Sequence, residues 1–338
     1  MSTSHPPLVC IIILNWNGKD LLEVCLSSLF KNTRYKNFKV LLVDNGSTDG
    51  SVEFVRKNFP SVEILALDKN YGFAGGNNRG IFYVMKKYKP DYVLLLNNDV
   101  EFIDPSWLEK LVESAEENEK IGIIGCKLLN RSGSEEYSPG FLDPKMWVVG
   151  NMRRIEKRIK DTKGEVKSVA FACVLIKKDV IEKIGYLDED FFPAGCEDTD
   201  YCLRAKAAGF RVFVNWDVSV LHLGGATTKR KTREDKIFRE LLAKNGTQFA
   251  LLHLPFYLIP LWLCYEIYTS FFVMKEPFRP LDPSNLSFNR DFARSLWITL
   301  KAWMRNVRDL PRIIRKRRIK ARKIEYDYSE LLRKFDMV

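Results

Sequence analysis

The chain lacks a CxxC pair, and its cysteines are odd in number: Cys10, Cys25, Cys126, Cys173, Cys196, Cys202 and Cys264. Several lie in apolar runs, as buried free thiols do, so neither a disulfide framework nor a structural zinc site is expected, and a reducing cytosol fits. A signal peptide is also missing from the sequence given. The apolar run Leu8–Leu14 is too short for a comfortable h-region and passes straight into Asn15-Trp16-Asn17-Gly18. There is no internal repeat. The glycine-rich stretch after Asn70 has neither the Lys-Ser/Thr pair of a Walker A loop nor a clean GxGxxG, which disfavours P-loop chemistry. Acids are absent from Arg312 to Lys323, where eight of twelve residues are Lys or Arg. Most of the formal net charge of +11 is therefore local, and no nucleic-acid surface is expected on the rest of the chain.

What is present describes a globular protein with a core: 338 residues, 46% hydrophobic and 29% charged. Short β-branched runs alternate with helical spacing. Val9–Leu14, Lys39–Val43, Val62–Leu67 and Asp91–Leu96 read as strands, with helices over Leu21–Phe30, over Asp49–Asn58 and from the glycine-rich turn to about Tyr88. Asp104-Pro105 opens another, with Asp as N-cap and Pro at N1. This alternation predicts an α/β fold with a doubly wound, mainly parallel sheet. Ser132–Lys167 carries little readable pattern. Val169–Ile176 and Arg211–Trp216 read as strands, and Thr199–Ala208 as a helix ended by Gly209. Composition shifts near Gly246. Phe249–Met274 is apolar and aromatic, and the basic, helical remainder completes a C-terminal appendage of about ninety residues.

Open α/β sheets bind ligands at the carboxyl ends of their strands, and three polar clusters fall there. Val43-Asp44-Asn45-Gly46-Ser47-Thr48-Asp49-Gly50 follows the second strand, Asp68–Asn78 the third, and Asn97-Asn98-Asp99 the fourth. Each alone is compatible with a turn or a cap. The glycines of the second cluster allow backbone N–H groups to approach a ligand at a helix start, where the dipole favours an anion.

The series Ile11–Asn17, Val43–Asp49, Asn70–Gly80, Leu96–Asp99, Glu197–Asp200 and His222-Leu223-Gly224-Gly225 resembles glycosyltransferase family 2, closest to its rhamnosyltransferase-like branch. The resemblance covers about residues 8–245 and implies the GT-A fold. A catalytic domain is then expected over 1–245, its nucleotide-binding half about 1–130 and its acceptor half about 131–245, with a membrane-associated helical region over 246–338. The resemblance also implies an inverting transfer of a sugar from a UDP- or dTDP-sugar to a glycan or lipid-linked acceptor. Asp44 falls where the family hydrogen-bonds the nucleotide base, and a carboxylate suits the N3–H of uracil or thymine. Asn78 is implied as a ribose or diphosphate contact, with Asn15, Asn70, Asn97 and Asn98 in the same nucleotide-sugar site. Asp99 matches the last Asp of the metal-binding DXD motif, whose first Asp is Asn97 here. It would hold Mn²⁺ or Mg²⁺ with diphosphate oxygens and water, and His222 matches a metal- or diphosphate-binding His. Asp198 becomes the general base, with Glu197 as its competitor and Asp200 as an acceptor contact.

The length of Phe249–Met274 would let a helix cross a bilayer, but Pro255, Pro260 and Glu266 favour an interfacial or re-entrant element. A buried core segment or an oligomer interface is the competing reading. The basic run after Pro311 fits an anionic membrane surface, which places the protein at the cytoplasmic face of the membrane, peripheral rather than single-pass. Two other functions compete. A nucleotidyltransferase would need a basic, glycine-rich loop near the N-terminus, unlike Asn15-Trp16-Asn17-Gly18. A membrane-tethered nucleotide- or RNA-binding protein without catalysis would show no turnover of a sugar nucleotide.

Overall fold

In a computed structural model of the chain, residues 6–136, 164–223, 236–254, 256–274 and 286–321 are described. Most of Ser132–Lys167, together with Gly224 and Gly225, lies outside them.

Strand β1 (Val9–Asn15) is the centre of a parallel array. It pairs with β2 (Phe38–Asp44) on one side and β4 (Tyr92–Asn97) on the other, and β2 pairs with β3 (Glu63–Ala66). Its side chains divide by period two, as a pleated strand requires. Ile11 and Ile13 enter a core cluster with Leu22, Leu26 and Leu29 of helix α1 (Lys19–Lys31) and with Trp107 and Leu111 further on. Cys10 and Ile12 enter the opposite cluster with Ile81 and Val84. Burial on both faces explains why the strand is a continuous apolar run rather than an alternating one.

Beyond β4 the sheet becomes mixed. Strand β8 (Cys173–Lys177) runs antiparallel to β4 and to β6 (Ile121–Leu129); β6 is parallel to β9 (Arg211–His222), and β9 antiparallel to β5 (Val100–Phe102). The order is β3-β2-β1-β4-β8-β6-β9-β5, with the two-residue β7 (Glu135–Glu136) against β6. The expected parallel winding thus describes the first four strands, while the second half supplies antiparallel neighbours. Strand β9 extends well past the expected Trp216, far enough to bring His222 to the fourth-strand rim.

Helices α2 (Ser51–Asn58), α3 (Gly72–Lys87), α4 (Trp107–Glu116), α5 (Lys178–Ile184) and α6 (Glu197–Ala207) cover the two faces. Two expected starts shift. Asp104 is not the N-cap of α4; its carboxylate accepts Ser106 N at 2.9 Å and Lys110 Nζ at 2.7 Å, and regular helix begins only at Trp107. Asp49 likewise holds Ser51 N at 3.1 Å, ahead of a helix that starts at Ser51.

The C-terminal region consists of α7 (Lys236–His253), α8 (Ile259–Phe271), α9 (Phe292–Arg308) and α10 (Leu310–Ala321), with a small pair β10 (Phe272–Met274) and β11 (Leu286–Phe288). The apolar stretch from Phe249 does not form one long helix. It is divided among the end of α7, a short 3-10 turn at Phe256–Leu258, α8 and β10. Phe249, Leu252, Leu254 and Trp262 are buried, and among the described residues no helix is long and apolar enough to cross a membrane. Glu266 is half-buried between helices, accepting from Thr247 Oγ1 at 2.8 Å and Trp303 Nε1 at 2.6 Å. Burial raises its pKa against the opposing effect of those hydrogen bonds. The boundary expected near residue 245 falls inside α7, whose Phe249 and Leu252 share a cluster with Phe191 and Ile313.

Candidate active site

The carboxyl ends of β1, β2 and β4 are joined by side-chain amides. Asn15, fully buried, donates from Nδ2 to Asp44 Oδ1 at 3.0 Å and to Ser47 Oγ at 3.2 Å, while its Oδ1 accepts from Asn98 Nδ2 at 2.7 Å. Asp44 Oδ2 accepts Ser47 N at 2.9 Å. An ionised carboxylate has about four lone-pair positions, so Asp44 keeps acceptor capacity beyond these two bonds. Asn17 latches the first loop to the second, its N donating to Ser47 Oγ at 2.9 Å and its Oδ1 accepting Thr48 N at 2.8 Å. Gly18 makes the approach achievable, because a Cβ there would stand 2.3 Å from Asn98 Nδ2 and 2.8 Å from Asn15 Oδ1.

The glycine-rich segment has a different role from the one expected. It is already helix α3, and its first amides are occupied: Gly72 N donates to Asn70 Oδ1 at 2.7 Å and Phe73 N to Pro193 O at 2.7 Å. An anion would have to displace both bonds. Gly76 faces the sheet, where a Cβ would meet Leu14 Cδ1 at 2.4 Å; close helix–sheet packing accounts for the glycine. Asn70 also accepts from Asn45 Nδ2 at 3.0 Å, and Asn45 Oδ1 accepts Tyr71 N at 2.9 Å. Asn45 is buried and braces this loop, a role the sequence reading missed because an Asn-Gly pair after a strand looks like an ordinary turn. Asn78, expected at the ribose or diphosphate, is turned to the protein instead. It donates to Leu187 O at 2.9 Å and Glu189 Oε1 at 3.0 Å, and accepts Leu187 N at 2.9 Å.

Asn97 ends β4, Asn98 joins the amide network, and Asp99 precedes β5. The pairing of β5 with β9 sets Val100 opposite His222, and Leu223 N donates to Asp99 O at 2.9 Å. This register brings His222 Nε2 to 3.3 Å from Asp99 Oδ1. Two cis ligands of a cation bound at about 2.1 Å are about 3 Å apart, so a carboxylate oxygen and an imidazole nitrogen in this relation fit a divalent cation. Among the described residues no group of three or more His, Cys, Asp or Glu side chains gathers around one point. Any such cation would depend on the ligand's oxygens and on water.

The acidic turn opens α6 after Cys196, which has a left-handed backbone at φ 76°. Glu197 is buried; desolvation, reinforced by the neighbouring Asp198, pushes its carboxyl up to about 8. Desolvation raises Asp198 as well, opposed by Thr199, whose N and Oγ1 lie 2.6 Å and 3.2 Å from Asp198 Oδ1. Burial thus pushes both adjacent carboxyls toward their neutral forms. Asp200 is not placed to meet an acceptor. Its side chain is fully buried, with Arg204 Nε 2.8 Å from Oδ2 and His253 Nε2 2.8 Å from Oδ1. Arg204 continues to Ile184 O at 2.9 Å and Tyr186 O at 2.8 Å.

The segment leading to Glu197 is held from two sides. Asn78 grips residues 187 and 189, and Arg79 lies 3.7 Å from Glu189. From the C-terminal helices, Lys316 Nζ approaches Asp188 Oδ1 at 2.6 Å and Asp190 Oδ2 at 2.5 Å, and Arg312 reaches Asp190 Oδ1 at 3.1 Å. Asn245 Nδ2 donates to Phe191 O at 2.6 Å and Ala194 O at 2.9 Å, and Lys244 Nζ to Asp190 O. Three cations expected at a membrane surface are therefore engaged within the protein: Arg312, Lys316, and Arg317, which donates to Leu251 O at 2.7 Å.

Residues 10–185 match the family model described as Glycosyl transferase family 2. The O-antigen biosynthesis protein RfbC of Myxococcus xanthus is 32% identical over 237 residues, 66% of this chain but 18% of that protein. The N-acetylglucosaminyl-diphospho-decaprenol L-rhamnosyltransferase of Mycobacterium tuberculosis (strain ATCC 25618 / H37Rv) is 24% identical over 242 residues, 65% of this chain and 77% of that protein. Across the first two curated relatives the chain spans 18% and 24% of their length. Among solved structures, a mannosyltransferase from Pyrobaculum calidifontis in complex with GDP-Man and Mn²⁺ superposes with a TM-score of 0.53 at 14% identity, over 91% of this chain and 76% of that one. GalNAc-T7 with UDP, GalNAc and Mn²⁺ gives 0.57 at 14% identity, over 91% and 58%.

Proposed function

Given that the chain belongs to glycosyl transferase family 2 and has the GT-A fold, we propose that it transfers a sugar, with inversion, from a UDP- or dTDP-sugar to a glycan or lipid-linked acceptor. The observation that carries this reading is the Asp99–His222 pair at the rim of the strand ends, 3.3 Å apart. Asp99 and His222 would hold a divalent cation, which when bound neutralises the diphosphate leaving group. Asp44 and the Asn15–Asn98 network would line the nucleotide site, Asp44 accepting from the base. Asn70 and Asn78 shape its wall through the contacts already described.

Asp198 takes the proton of the acceptor hydroxyl as the new bond to the anomeric carbon forms and the bond to the diphosphate breaks. Glu197, whose neutral form burial favours, lies beside it. Asp200 anchors α6 to α7. A rhamnosyl or other hexosyl donor is the class proposed, a choice supported by the activity for which the mycobacterial relative is named. An acceptor carried on a lipid would place the enzyme peripherally at the cytoplasmic face of the membrane.

Thermal denaturation with UDP, dTDP, GDP and their sugar conjugates, with and without Mn²⁺, tests the assignment, because a ligand that binds only the native state raises Tm. A metal-dependent rise with UDP or dTDP compounds and slow release of the diphosphate are expected. No shift with any nucleotide, in the presence of Mn²⁺ or Mg²⁺, would overturn the reading.

A further inference from the structure

Helix α9 buries one side and leaves the other bare. Ala302 and Asn306 are buried, with Asn306 Nδ2 donating to Lys244 O at 3.0 Å. On the opposite side Trp297, Leu300, Met304 and Val307 follow at spacings of three and four, and they are 55%, 37%, 57% and 68% exposed. Single exposed apolar residues need no explanation, but a contiguous row of this kind marks an interaction surface. The row extends about 15 Å along the helix axis. The helix contains no Asp or Glu, and Arg294, Lys301, Arg305 and Arg308 follow its flank. Lys301 and Arg305 pair with Glu240 beneath, whereas Arg294 and Arg308 are exposed.

The chemistry of that face selects its partner. A second copy of the same stripe would bring two cationic flanks together, and like charges across an interface cost affinity. A layer that is anionic at the surface and apolar beneath complements both features, which is the arrangement of an interfacial amphipathic helix. We propose that α9 lies in the headgroup layer of an anionic membrane, with Trp297, Leu300, Met304 and Val307 entering the acyl boundary and Arg294 and Arg308 facing lipid phosphates. This assigns the contact to a different element from the two that the sequence suggested. In the stretch from Phe249, Phe249, Leu252, Leu254 and Trp262 are buried while Phe256 and Tyr257 at the 3-10 turn are exposed, and Lys316 and Arg317 are engaged within the protein. The inference rests on the membrane part of the functional reading, and its test uses no nucleotide, so the two can fail separately.

The full chain should sediment with phosphatidylglycerol–phosphatidylcholine vesicles at low ionic strength and remain in solution with phosphatidylcholine alone, where the cations gain nothing. Arg294→Gln combined with Arg308→Gln should weaken partitioning about thirtyfold, at roughly a fifth of the affinity retained per cation. Trp297→Ser combined with Met304→Ser should weaken it tenfold or more, on the order of the buried apolar area lost. Acyl chains brominated near the headgroup should quench the protein's tryptophan fluorescence, and Trp297→Phe, which keeps the stripe apolar, should remove most of that quenching. This variant keeps the test decisive if the serine substitutions disturb folding. Three results would each overturn the proposal: no sedimentation with anionic vesicles, quenching unchanged in Trp297→Phe, or a dimer in light scattering that the serine variant converts to monomer. The last would make the stripe a self-association face.

Discussion

The ammonium of Lys316 lies 2.6 Å from the carboxylate of Asp188, across 128 positions of sequence. Through it, a helix that reads as a basic tail grips the segment entering Glu197-Asp198. Burial opposes the charge of Lys316, but Asp188 and Asp190 outweigh it and raise its pKa. Lys316→Met should cost about 1–3 kcal/mol in urea unfolding, less than the loss of a wholly enclosed ionic partner because the lysine is 30% exposed. In an Asp188→Asn background the same substitution should cost at least about 0.5 kcal/mol less. Additive costs would mean that charge pairing is not what links α10 to the catalytic half.

Asp99→Asn should leave Tm nearly unchanged while abolishing the Mn²⁺ dependence of nucleotide binding, because the amide keeps the shape but loses the anionic ligand. Transfer should fall by on the order of a hundredfold or more. Transfer that survives both EDTA and this substitution would remove Asp99 from the metal role.

The two adjacent acids should respond oppositely. Asp198→Asn removes the proton acceptor, and turnover should drop by about a hundred- to ten-thousand-fold with donor affinity retained. Glu197 behaves as a group whose neutral form the fold prefers. The unfolded chain ionises it above its ordinary value of 4.5 and the folded chain only above about 8, so its contribution to stability is full below 4.5 and is lost as pH rises between those limits. Glu197→Gln should therefore equal the parent in Tm near pH 4.5 and exceed it progressively up to pH 8. Parallel Tm curves for the two proteins would show that Glu197 is not held neutral.

Gly18→Ala should disrupt the Asn15–Asn98 contact, since the added carbon would lie 2.3 Å from Asn98 Nδ2. A loss of about 1–3 kcal/mol in stability, with weaker nucleotide binding, is expected. Gly246→Ala supplies the contrast, because nothing lies within 4 Å of its added carbon inside α7. It should stabilise the protein by about 0.5–1 kcal/mol. Equal effects of the two substitutions in chemical denaturation would contradict the packing account.

Local pattern carried much of this architecture. The apolar runs at Val9, Lys39 and Asp91 became three adjacent parallel strands, and the polar residues that follow them share one rim. Pairings distant in sequence were not legible. Nothing in Asp200 signals a buried ion pair with Arg204 and His253, since three acids at a helix start look the same whether they cap, catalyse or anchor. The glycines of α3 misled for a related reason: a small residue serves a ligand's approach and a strand's approach equally well, and the contacts of Leu14 against Gly76 and of Ile12 and Val43 against Gly80 distinguish them. Hydropathy alone also could not separate the interior apolar segment around Phe249 from the bare stripe of α9, because the difference lies in which neighbours cover each face.

Helix α7 runs unbroken from Lys236 to His253, and this fixes where a chimera with a related transferase could be joined. A junction at residue 245 would cut the helix between Lys244 and Asn245 on one side and Phe249 and His253 on the other. The donated half would then inherit Asp200 without the imidazole that meets it, and Phe191 without Phe249 and Leu252, which pack with it. Grafts that keep α7 whole, with α10 alongside, would transplant the acidic turn together with its supports, so acceptor preference and the helical region should be inherited as one block.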